Sequence, residues 1–363
     1  MNRISIGILA HNESAVICDT LQSLFAQTLL TDVPPRRTIE VIVVPNGCSD
    51  DTAAVARAAL EELAKDRPGV TWAVHDLARP GKADAWNDYV HQFADPAADL
   101  VYLLDADIRF IQPQTLANML TTLAAEPDAR AVTDAQVKDV ALLPRKSLAQ
   151  RLSLVASRQR PIRKHPHGLC GQCYAVRGDV IRQIWMPAKL PAVEDGFLYA
   201  SITSDRFTGN GSHTWVVGAP NASHVYEAYS DLPRVIRHEA WIMAGSTLLV
   251  FLYTELWAAA KDGTDSGTYI ARRNAEDPDW FKNLCEREIA KRGHWVVPKG
   301  NLKRRFWRLR EFPVSQRIVR FPIALVMQAA DWVVCWQANA ALRNGRAMGY
   351  WGKKQAGPKV APS

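Results

Sequence analysis

Asp99-Leu100-Val101-Tyr102-Leu103-Leu104-Asp105-Ala106-Asp107 runs an apolar stretch of strand length straight into two carboxylates separated by one small residue. Continuous apolar character predicts a strand covered on both faces, the habit of parallel sheets. Three comparable runs precede it: ISIGILA at 4–10, TIEVIVV at 38–44 and VTWAVH at 70–75. Between them, 13–27, 49–65 and 82–93 carry apolar residues at helical spacing. Strands alternating with helices predict right-handed crossovers and an α/β fold, its mainly parallel central sheet flanked by helices. Ligands of such sheets bind at the carboxyl ends of the strands. The residues to read for chemistry are therefore His11-Asn12-Glu13, Pro45-Asn46-Gly47-Cys48-Ser49-Asp50-Asp51-Thr52, Asp76 with Arg79-Pro80-Gly81-Lys82, and Asp105-Ala106-Asp107.

Asp105 and Asp107 offer two hard oxygen donors at one edge, suited to Mg²⁺ or Mn²⁺ bridging a diphosphate. Taken alone, the pair would serve equally as a loop or helix cap. Ser49 or Asp50 is placed to cap the following helix whatever the function. No GxGxxG or Walker A string occurs, which weakens dinucleotide and P-loop alternatives. A second acidic pair, in Val193-Glu194-Asp195-Gly196, opens another helical pattern, where the helix dipole alone gives an acid a reason to be.

SIGILAHNES, VIVVPNGCSDDT, PGKADAWN, LLDADI and VEDGFL, in this order and spacing, resemble the motifs of the family 2 glycosyltransferases with the GT-A fold. The resemblance covers about residues 3–240. It implies inverting transfer of a sugar from a nucleoside-diphosphate donor, a UDP-sugar in first place, to a hydroxyl acceptor. Carried over residue by residue, Asn12, Glu13, Asn46 and Asp76 would line the nucleoside pocket, and Lys82 would approach the diphosphate. Asp105 and Asp107 would be the DxD pair holding Mn²⁺ or Mg²⁺, with Asp107 the principal ligand and Asp105 also on the nucleotide side. Asp195 would be the base that takes the acceptor's proton, and Glu194 would orient it or the acceptor. His224 lies where some GT-A enzymes add a histidine to the metal shell; a satisfied core histidine is the alternative. Two departures stand out. The family's QxxRW is replaced by Arg234-Val-Ile-Arg237-His238 with Trp241 beyond, a basic cluster expected on the diphosphate or acceptor side. VDDGS is varied to VPNGCS, which alters base recognition at Asn46. The altered QxxRW keeps open a nucleotide-sugar-binding partner protein that has lost catalysis, and acidic metal ligands on such a sheet also suit a nucleotidyltransferase.

Composition places the chain among ordinary globular proteins, with 48% hydrophobic and 22% charged residues in 363. The net charge of +7 is unevenly distributed: 22 Lys+Arg against 25 Asp+Glu in residues 1–230 give −3, and 22 against 12 in 231–363 give +10. A catalytic domain over 1–230 and a helical, basic, tryptophan-rich extension over 231–363 are the expected division. Within the extension, GNLKRRFWRLREF alternates Lys303, Arg304, Arg305, Arg308 and Arg310 with Phe306, Trp307 and Phe312. The helical stretch from Phe321 to Arg343 puts Gln328, Asp331, Cys335, Asn339 and Arg343 on one narrow polar stripe, opposite an apolar face with Val326, Ala330, Val333 and Val334. Such a helix usually packs into a core; beside a polybasic, aromatic segment it also suits an anionic bilayer surface. With no nucleic-acid motif in the chain, the membrane surface is the expected partner, together with a lipid or lipid-linked glycan acceptor, on the cytoplasmic face. The interruptions at Gln328 and Asp331, and Glu255 after the apolar run 240–254, argue against membrane spans. Six irregularly spaced cysteines fit a reducing compartment better than a disulfide framework. His165, His167, Cys170 and Cys173 gather four soft ligands that could hold zinc, with an ordinary loop and strand as the default.

Overall fold

The computed structural model describes residues 1–142, 162–191, 193–227 and 231–348. Residues 143–161, 192 and 228–230 of the expected catalytic domain, and 349–363 of the expected extension, lie outside the described residues.

The alternating pattern at the N-terminus folds as β1 (Arg3–Ala10), α1 (Ile17–Phe25), α2 (Thr28–Thr31), β2 (Thr38–Pro45), α3 (Thr52–Ala64), β3 (Val70–Val74), α4 (Lys82–Asp88) and β4 (Leu100–Asp105). These strands lie parallel in the order β3-β2-β1-β4. The chain thus steps outward from β1 to β3, then returns to place β4 on the other side of β1. Crossovers leave opposite faces at that switch point and open a crevice between them. Leu9 pairs with Asp105 in the β1–β4 ladder, so the DAD segment leaves the sheet at the crevice.

The chain continues through β5 (Ile108–Arg109), α5 (Thr115–Ala125), β6 (Ala131–Lys138), β7 (Cys173–Arg177), α6 (Gly178–Ile181), α7 (Glu194–Thr203) and β8 (Val216–Tyr226). The full order is β3-β2-β1-β4-β7-β6-β8-β5. Among the described strands β5 and β7 run against the others, so the sheet is mixed but mainly parallel. Side chains alternate across it. Ile4, Ile6, Ile8, Leu100, Tyr102 and Leu104 pack with Leu21, Leu60 and Leu116 on one face. Leu9, Val101 and Leu103 pack with Trp86, Tyr89 and Phe197 on the other.

The C-terminal region forms α8 (Leu232–Lys261), α9 (Ser266–Glu276), α10 (Trp280–Arg292), α11 (Arg304–Leu309) and α12 (Val314–Arg343). Leu248 and Leu252 of α8, and Val334 and Leu342 of α12, join the same apolar cluster as Val101 and Leu103. These helices therefore complete the cover of one sheet face.

α12 is turned inside out relative to a core helix. Its polar stripe is buried, with Gln328 at 0%, Asp331 at 4%, Cys335 at 0% and Asn339 at 7% exposure, and Val334 falls on this buried side. Val319 at 76%, Ile323 at 68%, Val326 at 69% and Trp336 at 66% face outward. Buried polar groups need partners; Asp331 and Asn339 find theirs, and Gln328 Oε1 accepts the Arg305 N–H at 3.1 Å, while the Gln328 Nε2 has no partner among the described residues. Asp331 accepts from both Arg304 (Nε, 2.8 Å; Nη2, 2.8 Å) and Arg305 (Nε, 2.8 Å; Nη2, 3.2 Å). The Asn339 amide takes the Val296 N–H at 2.7 Å and donates to the His294 carbonyl at 3.0 Å. Two expectations are corrected here. Arg304 and Arg305 are committed to Asp331 instead of to an outer surface. Gln328 and Asp331 do not interrupt the outward apolar face, and α8 and α12, each 30 residues, both meet the length and hydropathy of a membrane span. Half of the α8 span is buried within the protein, against 22% of that in α12.

Candidate active site

At the switch point the ends of β1 and β2 and the turn before α4 are joined through one side chain. Asn46 is 2% exposed; its Nδ2 donates to the Ala10 carbonyl at 2.8 Å and its Oδ1 accepts the Gly81 N–H at 3.0 Å. Gly47 follows with φ +57°, and a Cβ there would lie 2.5 Å from the Pro80 nitrogen, so only glycine fits. Asn12, also left-handed at φ 56°, accepts the Ser49 N–H on Oδ1 at 2.7 Å, while the Glu13 N–H donates to Thr52 Oγ1 at 2.8 Å. Asn12, Glu13 and Asn46 thus line one edge of the crevice as part of its wall. Asp76 stands exposed just after β3.

Lys82, the first residue of α4, reaches across to two acids. Its Nζ lies 2.6 Å from Asp105 Oδ1 and 2.7 Å from Glu194 Oε1, with 37% of the side chain exposed. Burial works against the ammonium, but Asp105 and Glu194 outweigh it and hold its pKa well above the usual lysine value. One cation therefore links α4, the end of β4 and the start of α7. Val193, just before Glu194, has φ 56°, a left-handed conformation that costs a β-branched residue about 1–3 kcal/mol. That turn sets the direction in which the two acids of α7 enter the crevice. No sequence signal marked it.

Asp195 is the most perturbed acid of the group. Burial, and then the neighbouring Glu194 carboxylate, push its pKa up to about 6, against the opposing Gly196 N–H and Lys82. Its Oδ1 accepts the Gly196 N–H at 2.8 Å. A Cβ on Gly171 would come within 3.0 Å of the Asp195 Cβ, so Gly171 leaves the room this carboxylate occupies. Tyr253 of α8 donates its hydroxyl to the Gly196 carbonyl at 3.1 Å, tying the C-terminal helices to the same turn. Neither Gly171 nor Tyr253 was singled out from the sequence. A carboxyl titrating near 6 is suited to accepting a proton close to neutral pH.

The donor set at the end of β4 fits a hard divalent cation. Asp105 and Asp107 emerge together, both half-buried, and Asp105 already binds a cationic group in Lys82. His224 lies elsewhere in the wall. It is completely buried on β8, its Nδ1 2.8 Å and 3.0 Å from the two Asp134 oxygens and its Nε2 3.3 Å from Gln172 Oε1. Burial opposes both charges of this pair, yet Asp134 pushes the His224 pKa up to about 10. Arg234, Arg237 and His238 share the first turns of α8. Arg234 pairs with Asp231 at 3.0 Å, Arg237 lines an open groove of about 320 Å³ with Leu232, Pro233, Ile236 and Gln337, and His238 stacks near Trp241. Of the four soft ligands at 165–173, Cys170 and Cys173 are buried as free thiols, whereas His165 lies edge-on to His213.

Residues 5–185 match the family model described as Glycosyl transferase family 2. Among solved structures, the chain is similar to the mannosyltransferase PcManGT from Pyrobaculum calidifontis, in complex with GDP-Man and Mn²⁺. That likeness has 17% identity, covers 94% of this chain and 86% of that one, and has a TM-score of 0.51. A second similarity is to glucosyl-3-phosphoglycerate synthase from Mycobacterium tuberculosis, in complex with Mn²⁺, UDP-glucose and phosphoglyceric acid, at 19% identity, 67% and 78% coverage and a TM-score of 0.42. No curated protein matches the chain in sequence. Residues 5–185 form a family 2 glycosyltransferase domain, and the chain has the GT-A fold.

Replacing Lys82 with Met leaves Asp105, Glu194 and Asp195 facing one another. Without the ammonium the like charges repel one another, and a folded state that binds protons more tightly than the unfolded one loses stability as pH increases. Lys82→Met is expected to lower unfolding free energy by about 1–2 kcal/mol at neutral pH and by less near the carboxylate range. Urea titrations across pH check this; a deficit independent of pH would contradict it.

Proposed function

We propose that this protein is an inverting glycosyltransferase that moves a sugar from a nucleoside-diphosphate donor to a hydroxyl of a lipid or lipid-linked glycan at a membrane surface. The observation that carries the catalytic half is Asp195, held with a pKa near 6 beside the Lys82–Asp105–Glu194 group. Above that pH its carboxylate takes the proton of the attacking hydroxyl, while Glu194 orients it. Asn12, Glu13, Asn46 and Asp76 border the place of the nucleoside. Asp105 and Asp107 would hold Mn²⁺ or Mg²⁺, which when bound neutralises charge on the leaving diphosphate. Lys82 at the start of α4 would offer its ammonium to the diphosphate, and Arg237 would add a positive charge on the acceptor side. The similar mannosyltransferase was solved with GDP-Man and Mn²⁺, which supports this choice of donor class and metal.

The membrane half rests on α12. A helix that buries its polar stripe and exposes Ile318, Val319, Ile323, Val326, Val333 and Trp336 has the polarity expected beside lipid. The apolar positions occupy about half of the helix circumference, which suits a helix lying in the plane of the interface. Lys303, Arg308, Arg310 and Arg320 remain exposed around it, each contributing about 1 kcal/mol near an anionic surface.

Two measurements test the two halves. Asp195→Asn should lower the transfer rate by roughly 10²–10⁴-fold while leaving the donor-induced thermal shift intact. The wild-type rate should rise with pH through about 6. Equal loss of donor binding and turnover would remove Asp195 from the role of base. Val326→Asp combined with Val333→Asp should abolish co-sedimentation with phosphatidylglycerol-containing vesicles and keep the fold, since both side chains already face outward. Undiminished co-sedimentation would contradict the lipid-facing assignment.

A further inference from the structure

The turn that carries Asp195 does not hold itself. Val193 enters α7 in a left-handed conformation, φ 56°, and Gly196 stands in the first turn of the helix. The one is strained and the other has the most backbone freedom to lose, so a single conformation persists only where the surroundings impose it. Asp195 Oδ1 accepts the Gly196 N–H at 2.8 Å, so the direction of the carboxylate follows the place of Gly196. That place is set from α8, outside the family domain of residues 5–185. The Tyr253 hydroxyl donates to the Gly196 carbonyl at 3.1 Å, and Leu249, one turn earlier, lies 3.5 Å from where a Gly196 Cβ would be. Tyr253 is fixed in its turn. Its ring packs on Phe207 with centroids 5.2 Å apart, and Phe207 also meets Phe197 of α7 at 6.5 Å and Trp257 of α8 at 5.3 Å. Phe207 arrives there through three consecutive left-handed residues, Asp205 at φ 49°, Arg206 at 57° and Phe207 itself at 66°.

We propose that Tyr253 is a positioning residue for Asp195, holding from the C-terminal helices the turn that aims this carboxylate into the crevice. The inference rests on Asp195 as the proposed base, and it makes the extension a working part of the site. Tyr253 acts through Gly196 and needs no contact with a reacting atom. Burial, and then the charge of Asp195, push the pKa of its hydroxyl up, so the group stays protonated through neutral pH and can keep donating to the carbonyl. A catalytic group displaced by about 1 Å can lose up to about 10²-fold in rate. The proposed donor side stands on β1, β2 and β4 and does not depend on this contact, so the loss should fall on turnover and spare donor binding.

The test compares two variants of the full chain. Tyr253→Phe removes the hydroxyl and keeps the ring; Trp257→Phe, one turn on, trims the same aromatic cluster and leaves the hydroxyl on Gly196. Hydrogen–deuterium exchange over residues 194–199 should be about threefold faster or more in Tyr253→Phe and unchanged in Trp257→Phe. Release of nucleoside diphosphate from GDP-, UDP- and dTDP-sugars should show kcat about 10-fold lower in Tyr253→Phe with an unchanged donor KM, and kcat within about twofold of wild type in Trp257→Phe. In an Asp195→Asn background Tyr253→Phe should have no further effect on kcat, because a residue that acts through Asp195 then has nothing to position. Unchanged exchange over 194–199 would overturn the proposal. So would a loss of kcat that is equally large in the Asp195→Asn background or in Trp257→Phe. A wild-type chain that turns over no donor would instead contradict the glycosyl-transfer reading, and the exchange result would still decide whether Tyr253 holds the turn.

Discussion

The Lys82 ammonium is the interaction on which the crevice depends. It sits between Asp105 and Glu194, which reach it from the end of β4 and the start of α7. Without a cation between them, these acids and Asp195 would repel one another in a partly buried site, and no single arrangement of the three elements would be favoured. Asp195 stays close to the group yet titrates high because burial, and then the neighbouring Glu194 carboxylate, favour its protonated form over the opposing pull of the Gly196 N–H and Lys82. In a site of this kind a protein cation holds carboxylates in readiness for a ligand that brings its own cation and its own negative charge.

A second constraint acts through α12. Its Asp331 binds two guanidiniums within the protein, and this polar seam leaves much of the apolar face exposed among the described residues. In water such a face would be an aggregation risk. Against lipid it would be a stable arrangement, and the proposed membrane contact would then fall to the apolar residues instead of the basic ones. α8 links the two regions, since Tyr253 holds the Gly196 turn while its neighbours pack with α12.

Much of this was legible in the sequence. β1 to β4 and the intervening helices follow from uninterrupted apolar runs and helical spacing, because both faces of a parallel sheet are buried and periodicity records burial directly. Asp105, Asp107, Glu194 and Asp195 were legible as acids next to the right strand and helix ends. The partners were not. Arg304 and Arg305 carry the same composition whether they meet lipid phosphate or Asp331, and only the tertiary fold decides between them. The stripe of Gln328, Asp331 and Asn339 was identified correctly, but its direction depends on whether polar partners exist within the protein. His224 is similar: spacing offered it as a metal ligand, and only the β6–β8 register shows that it lies beside Asp134. The strained Val193 and the space kept by Gly171 left no trace in composition or spacing.

Release of nucleoside diphosphate from a panel of GDP-, UDP- and dTDP-sugars, measured with Mn²⁺ and vesicle-bound lipid acceptors, tests the account most directly. It predicts that one donor class is consumed, that turnover needs the divalent cation and the acceptor, and that chelation stops it reversibly. A folded, metal-supplemented protein that binds nucleotide sugars but turns over none of them would contradict it.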